Sequence, residues 1–280
     1  MSIKTIIKYL MNKNKKFESF ITNIRIWNSR IKNKISNNSY LQERKYLQLM
    51  TVAKVHDRSF SEYKNKFAGK DIVIIATGPS LNKYKPIENT INIGVNKSVL
   101  NEKLKLDIIF MQDWAAVKDY INVFDYKYKD IPKFFGCAPE EYFDFKDKKI
   151  IQALIPESIA LKYDARRYFQ YSTYLSKNIH FSKDIDCNYL ECAGSVAFSA
   201  IQFALYTNPR KIYIVGCDCT SGHYDDQNGS SLTHLIKPWK ELKKFAEIYY
   251  PETEIISVNP VGLKGLFTDL YQDEGENGAK

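Results

Sequence analysis

The segment Asp71-Ile-Val-Ile-Ile-Ala-Thr-Gly-Pro-Ser-Leu81 constrains the fold more than any other part of the chain. A short β-branched run, bounded by Lys70 and Asp71 on one side and by Gly78-Pro79 on the other, reads as a buried parallel strand. Gly78 lets the backbone approach a ligand closely, and Pro79 stiffens the exit toward a helix start. In an open α/β sheet, ligands gather at the carboxyl ends of the strands. Backbone N–H groups at such a turn, backed by a helix N-terminus, suit a phosphate. The same residues also serve as a plain strand-to-loop turn, and alone they do not separate the two readings.

Short apolar runs recur after Phe67-Ala-Gly-Lys70. Ile72–Ala76, Ile91–Val95, Asp107–Met111, Lys133–Gly136 and Lys149–Leu154 are expected strands, separated by helical or polar stretches. Gly194-Ser195 opens an apolar helix over Val196–Leu205, stopped by Asn208-Pro209, and Lys211–Gly216 follows as a central strand. A charged helix over Lys237–Tyr250 leads to a last strand, Glu254–Val258. Strands spaced in this way argue for a parallel sheet wound with helices. The expected fold class is α/β: a single Rossmann-like domain with a mostly parallel sheet over residues 67–268, a helical extension before it (1–66) and an acidic flexible tail after it (269–280).

The extension carries most of the net charge of +9. Lys4, Lys8, Lys13, Lys15, Lys16, Arg25, Arg30, Lys32 and Lys34 face only Glu18 across residues 1–36, and the rest of the chain is nearly balanced. That distribution argues against nucleic acid as the partner and for an amphipathic basic surface, with Phe17, Phe20, Ile21, Ile24 and Ile31 at helical spacing. Such a helix lies on an anionic membrane interface, or packs on its own domain or on a second subunit of a homo-oligomer. No run reaches the roughly 18 apolar residues of a membrane-spanning helix. Cys137, Cys187, Cys192, Cys217 and Cys219 fit reduced thiols in a cytoplasmic protein, at the inner face of the membrane if the basic segment docks there. Cys217-Asp-Cys219 has no second cysteine pair nearby, so no metal site is expected. The 20 Tyr and 16 Phe fill a core more readily than they stack on ligands.

Five motifs fall where a ligand crevice would lie: Thr77-Gly78-Pro79-Ser80, Gly94-Val95-Asn96, Gln112-Asp113, Ala193-Gly194-Ser195 and Gly216-Cys217-Asp218. In order and spacing, the set resembles the bacterial sialyltransferases of glycosyltransferase family 42 and a related family with a Gly-x-Gly-Pro-Ser-Leu start. Ala76 stands where the first glycine of that start would be. The resemblance implies that Thr77, Gly78, Pro79, Ser80, Asn96, Gln112, Asp113, Ala193, Gly194, Ser195 and Asp218 hold the nucleotide part of a donor. It implies that His234, ahead of a charged helix and a final strand, is the catalytic base, and that Tyr224 stabilises the leaving phosphate. His223 is a rival for the base.

The implied activity is inverting, metal-independent glycosyl transfer in surface-glycan synthesis, with CMP-sialic acid as donor co-substrate, a glycan acceptor and no further cofactor. Two alternatives stay open. The related family includes a diphosphokinase that moves pyrophosphate from ATP to a pterin alcohol, for which Asp113 and Asp218 would hold Mg²⁺. A non-catalytic nucleotide-binding protein docked on membranes through its basic N-terminus is the other.

Overall fold

The structure, a computed structural model, describes residues 56, 58–112, 117–137, 155–171, 179–226 and 231–272. They form one nine-stranded sheet: β1 (Asp71–Ile75), β2 (Thr90–Val95), β3 (Ile108–Met111), β4 (Lys133–Cys137), β5 (Arg166–Tyr171), β6 (Leu190–Glu191), β7 (Lys211–Val215), β8 (Glu254–Val258) and β9 (Thr268–Leu270). The order is β6-β5-β4-β3-β2-β1-β7-β8-β9 and every pairing is parallel. This is the α/β, Rossmann-like arrangement expected from the strand spacing. Three α-helices accompany it: α1 (Glu157–Lys162), α2 (Val196–Tyr206) and α3 (Ile236–Tyr249).

Both faces are covered, which is why the strands read as unbroken apolar runs. Ile72, Ile74, Ile93, Phe110, Phe134 and Ile212 face α2 and the Trp239, Leu242 and Phe245 side of α3. Val73, Ile75, Ile109, Met111 and Phe135 face Leu81, Val99, Phe124 and Tyr163 on the other side. Every residue of α2 is buried. Its Gln202 amide is fully used, accepting from the N–H groups of Ser182 and Glu191 and donating to the carbonyls of Glu191 and Phe198.

The connections on the second face differ from expectation. They hold 3₁₀ turns at Pro79–Lys83, Asn96–Leu100 and Ile121–Asp125 instead of long helices. Pro79 and Pro86 leave no room for a regular helix in the connection between β1 and β2.

The domain also reaches further than the sequence suggests at both ends. Phe60 is fully buried and stacks on Phe134 at 5.5 Å, and Tyr63 meets Phe203 at 5.0 Å, so residues 58–66 pack onto the sheet domain. Thr268–Leu270 pairs with β8, so Asp269 and Leu270 belong to the sheet and not to a tail. The expected strand at 149–154, the basic segment 1–36 and the end of the chain from 273 on lie outside the described residues.

Candidate functional site

The winding reverses between β1 and β7. From β1 the chain turns over one face to β2, whereas β7 lies on the other side of β1 and is reached through α2 on the opposite face. The carboxyl ends flanking such a switch point are where open α/β sheets bind ligands. Here they are stitched together. Ala76 N–H donates to the Val215 carbonyl and Gly78 N–H to the Gly216 carbonyl, each at 2.8 Å. Ser80 donates its N–H to Asp218 Oδ2 at 2.7 Å and its hydroxyl to Asp218 Oδ1.

This arrangement changes the reading of Gly78 and Ser80. A Cβ on Gly78 would lie 2.6 Å from the Gly216 carbonyl oxygen and 2.7 Å from the Asp218 carboxyl group. One on Gly216, whose φ is +66°, would lie 2.7 Å from the Ala76 oxygen. The glycines thus admit another strand end. Leu81 N–H bonds the Gly78 carbonyl, so the donors of Gly78, Ser80 and Leu81 are all engaged within the protein. The anion at this turn is the Asp218 carboxylate.

Asp218 is 4% exposed. Burial raises its pKa, and the two bonds from Ser80 pull it part of the way back. A raised folded-state pKa means the native protein holds this proton more tightly than the unfolded chain does. The resulting stability is present below the ordinary carboxylate value of 3.8 and is lost as pH rises through the raised value. Asp218→Asn should abolish that fall while keeping most of the bonding. Asp218→Ala should cost about 2–3 kcal/mol, because two buried donors of Ser80 lose their partner. Urea unfolding of the three proteins across a pH series checks both expectations.

The loop after β7 lies across the ends of β1 and β2. Tyr224 N–H donates to the Thr77 carbonyl at 2.8 Å, and Asn82 Nδ2 to the Tyr224 carbonyl at 2.7 Å. His223 Nδ1 is 2.9 Å from the Thr77 hydroxyl. The Tyr224 hydroxyl donates to the Lys97 carbonyl at 3.2 Å, and Lys97 Nζ pairs with Asp225 at 2.6 Å. Burial pushes the Tyr224 phenol up to about 12, so it remains a donor at neutral pH. His234 lies in the 3₁₀ turn Thr233–Leu235 leading into α3, on a loop tied back by Leu232 N–H to the Thr220 carbonyl. Burial lowers the pKa of its imidazole, and a hydrogen bond to the Ser231 backbone opposes the shift. The ring is therefore neutral at pH 7.

The remaining expected site residues gather at the same end of the sheet. Asn96 ends β2 with φ +45° and accepts from Gln112 N–H at 3.2 Å. Ala193 and Gly194 adopt φ of +41° and +86°, and Ser195 caps α2 by accepting from Ala197 N–H. Pro79 opens its 3₁₀ turn. Asp113 lies outside the described residues. Among the described residues, no group of three or more His, Cys, Asp or Glu side chains is arranged to hold a metal ion.

Residues 46–223, well over half of the chain, match the model of the family described as 6-hydroxymethylpterin diphosphokinase MptE-like. The chain belongs to the MptE-like family. No curated protein matches it significantly. Among solved structures, the MAf glycosyltransferase of Magnetospirillum magneticum AMB-1 is similar at 12% identity and a TM-score of 0.45. That match covers 84% of this chain and 37% of that one, so the MptE-like chain spans little more than a third of that protein's length. The sialyltransferase CstII of Campylobacter jejuni, in complex with cytidine-5'-monophosphate, is similar at 11% identity and a TM-score of 0.41, over 76% of this chain and 89% of that one.

Three groups in this MptE-like chain escaped the sequence reading. Lys97 and Asp225 fasten the loop after β7, and Glu191, 1% exposed, accepts from Ala193 N–H at 2.7 Å beside the start of α2. Gln170 and Gly136, at the ends of β5 and β4, are the third. A buried carboxylate ahead of Gly-Ser was the available signal for Glu191. An open groove of about 810 Å³ lies at the opposite end of the sheet, against the first residues of β4 and β5. Four of the cations that line it are engaged: Arg58 with Asp164 at 2.6 Å, Lys162 with Asp125 at 3.3 Å, Arg166 with Glu62, and Lys133 with the Lys129 and Ile131 carbonyls.

Proposed function

We propose that this chain is a nucleotide-dependent transferase working at the β1/β7 switch point, and that it is an inverting, metal-independent glycosyltransferase with CMP-sialic acid as donor. The observation that carries the reading is the docking of His223 and Tyr224 onto the Thr77-Gly78 turn, which sets an imidazole and a protonated phenol against the strand ends. In this reading an acceptor hydroxyl oxygen attacks the anomeric carbon, and His234 takes its proton. The bond from that carbon to the phosphate oxygen breaks, and its electron pair leaves on CMP. His223, and Tyr224 once its hydroxyl turns from the Lys97 carbonyl, supply donors for the charge that develops there. The product would enter surface-glycan synthesis. The basic segment 1–36 would hold the enzyme at the inner face of the membrane, and association into a homo-oligomer is part of the same proposal.

The family description favours a second reading, pyrophosphate transfer from ATP to a pterin alcohol. That chemistry ordinarily uses Mg²⁺ held by carboxylates. Asp218 does not fit the task, because both of its oxygens already accept from Ser80 inside the fold.

A thermal-shift panel of CMP, UDP, GDP, ADP and ATP, each with and without Mg²⁺, tests the proposal. A ligand at 100 times its dissociation constant stabilises a fold by about 2.7 kcal/mol. The expected result is a shift with CMP that Mg²⁺ does not alter, together with transfer from CMP-sialic acid that survives a chelator. A shift confined to ATP with Mg²⁺ would transfer the assignment to the second reading.

A further inference from the structure

Across β3, β4 and β5 the carboxyl ends carry Gln112, Gly136 and Tyr168 side by side. Met111 pairs with Phe135, so Gln112 follows opposite Gly136, and Gly136 pairs with Tyr168. By the two-residue period of a strand these positions, with Gln170, lie on the face of Phe110 and Phe134, under α2. Gly136 leaves a notch that polar groups occupy: a Cβ there would be 2.8 Å from Gln170 Oε1 and 3.0 Å from the Tyr168 hydroxyl.

Gln170 is only 5% exposed, yet among the described residues its Oε1 has no hydrogen-bond partner, and neither has the buried Oε1 of Gln112. Glutamine is seldom this buried, and an idle buried acceptor is destabilising. The Gln202 amide, with all four of its bonds made, shows what a purely structural glutamine does in this fold. Two idle amide oxygens at the ends of the strands that flank β4 need another explanation.

We infer that Gln112 and Gln170, separated by the Gly136 notch, form the edge-reading subsite for a planar amino-heterocycle bound in the crevice. The inference rests on the transferase reading above and adds the ligand class. Adjacent strands lie about 4.8 Å apart, so β3 and β4 are roughly 10–14 Å from β1, and Gln170, rooted on β5, brings its Oε1 back over Gly136 of β4. A nucleotide whose phosphate lies near the switch point reaches that far with its base. Acceptor oxygens call for N–H donors, which the amino groups of cytosine, adenine and guanine provide and which uracil lacks at the corresponding position. The amino-bearing ring of a pterin acceptor offers the same donors.

Calorimetric titration of the full chain with CMP, AMP, GMP, UMP and 6-hydroxymethylpterin, repeated on Gln170→Leu and Gln112→Leu, tests this. At least one amino-bearing ligand should bind tenfold or more tightly than UMP, and each leucine variant should lose that preference. The melting temperature without ligand should stay level or rise, because leucine removes an idle amide at similar volume. Dependence on the glutamines seen with the pterin alone would assign the subsite to the acceptor, and with nucleotides to the donor. Nucleotides bound equally well whatever the base, with variants that behave like wild type, would overturn the subsite and leave the transferase reading standing. No binding of any of the five ligands by wild type would overturn both. Should Gln170→Leu fail to fold, the amide is structural and the inference fails for that residue; Gln112→Leu then decides it for the other.

Discussion

Replacing Gly78 by alanine is expected to destabilise the protein by about 3–5 kcal/mol, enough to lower its melting temperature by roughly ten degrees or more. The backbone is not the reason. Gly78 has φ −67° and ψ 159°, an extended conformation that alanine adopts freely. On conformational grounds alone, alanine would gain about 0.4–1 kcal/mol by restricting the unfolded chain. The clash decides the sign: the new methyl group would stand 2.6 Å from the Gly216 carbonyl oxygen and 2.7 Å from the Asp218 carboxyl group. A carbonyl oxygen anchored by its own hydrogen bond cannot rotate away, so the β1 and β7 ends must separate and the Ser80–Asp218 bonds go with them. Gly69→Ala is the matched control. Its added Cβ meets nothing within 4 Å, although its φ of +74° carries a strain cost of about 1–2 kcal/mol. Thermal and urea unfolding of both variants should rank Gly78→Ala well below Gly69→Ala, and similar midpoints would show that the strand ends are loosely joined.

His234→Ala should lower the transfer rate by about 100- to 10,000-fold, the range by which a positioned general base contributes. The pH profile carries the sharper test. A base must be neutral to accept a proton, and burial holds the His234 pKa below its ordinary 6.5. The wild-type rate should therefore hold to lower pH than a histidine of ordinary pKa allows, and fall as pH drops through the lowered value. In His234→Ala that acid limb should vanish along with the rate. His223→Ala should keep the limb, because in the proposed reading His223, bonded to the Thr77 hydroxyl, meets the leaving group and not the acceptor. Transfer near the wild-type rate by His234→Ala, or an acid limb lost only in His223→Ala, would exchange the two roles.

The strands that were legible in the sequence are those buried on both faces. β1, β2, β3, β4, β7 and β8 each appear as a compact apolar run, and burial on two sides is what makes them so. β5 was hidden by Arg166-Arg167, which reads as a polar stretch. In the fold the Arg166 guanidinium covers the rings of Phe60, Tyr63 and Phe134, a use of charge that no local pattern announces. β6 and β9 contribute two and three residues and were too short to detect. At the site, Thr77, Gly78, Ser80, Asn96 and Asp218 were recognisable as strand-end residues because turns use a small vocabulary. Their pairing was not. Gly78 looks like an opening for a ligand until the chain that fills the opening is known, and that chain is Gly216–Asp218. Gln170 gave no signal at all, since an idle amide differs from a bonded one only in its surroundings.

The bond between Ser80 and Asp218 closes a loop of 138 residues. The equilibrium cost of that length is slight, since each doubling of a loop adds only about 0.6 kcal/mol. Its kinetic cost is larger, because distant pairings slow folding and expose unfinished sheet. During synthesis β1 emerges well over a hundred residues before β7, so the central strand waits with one flank bare until β7 has been made. A chain that ends before β7 therefore lacks the Asp218 carboxylate that closes the Gly78–Ser80 turn, and its central strand keeps an unpaired edge.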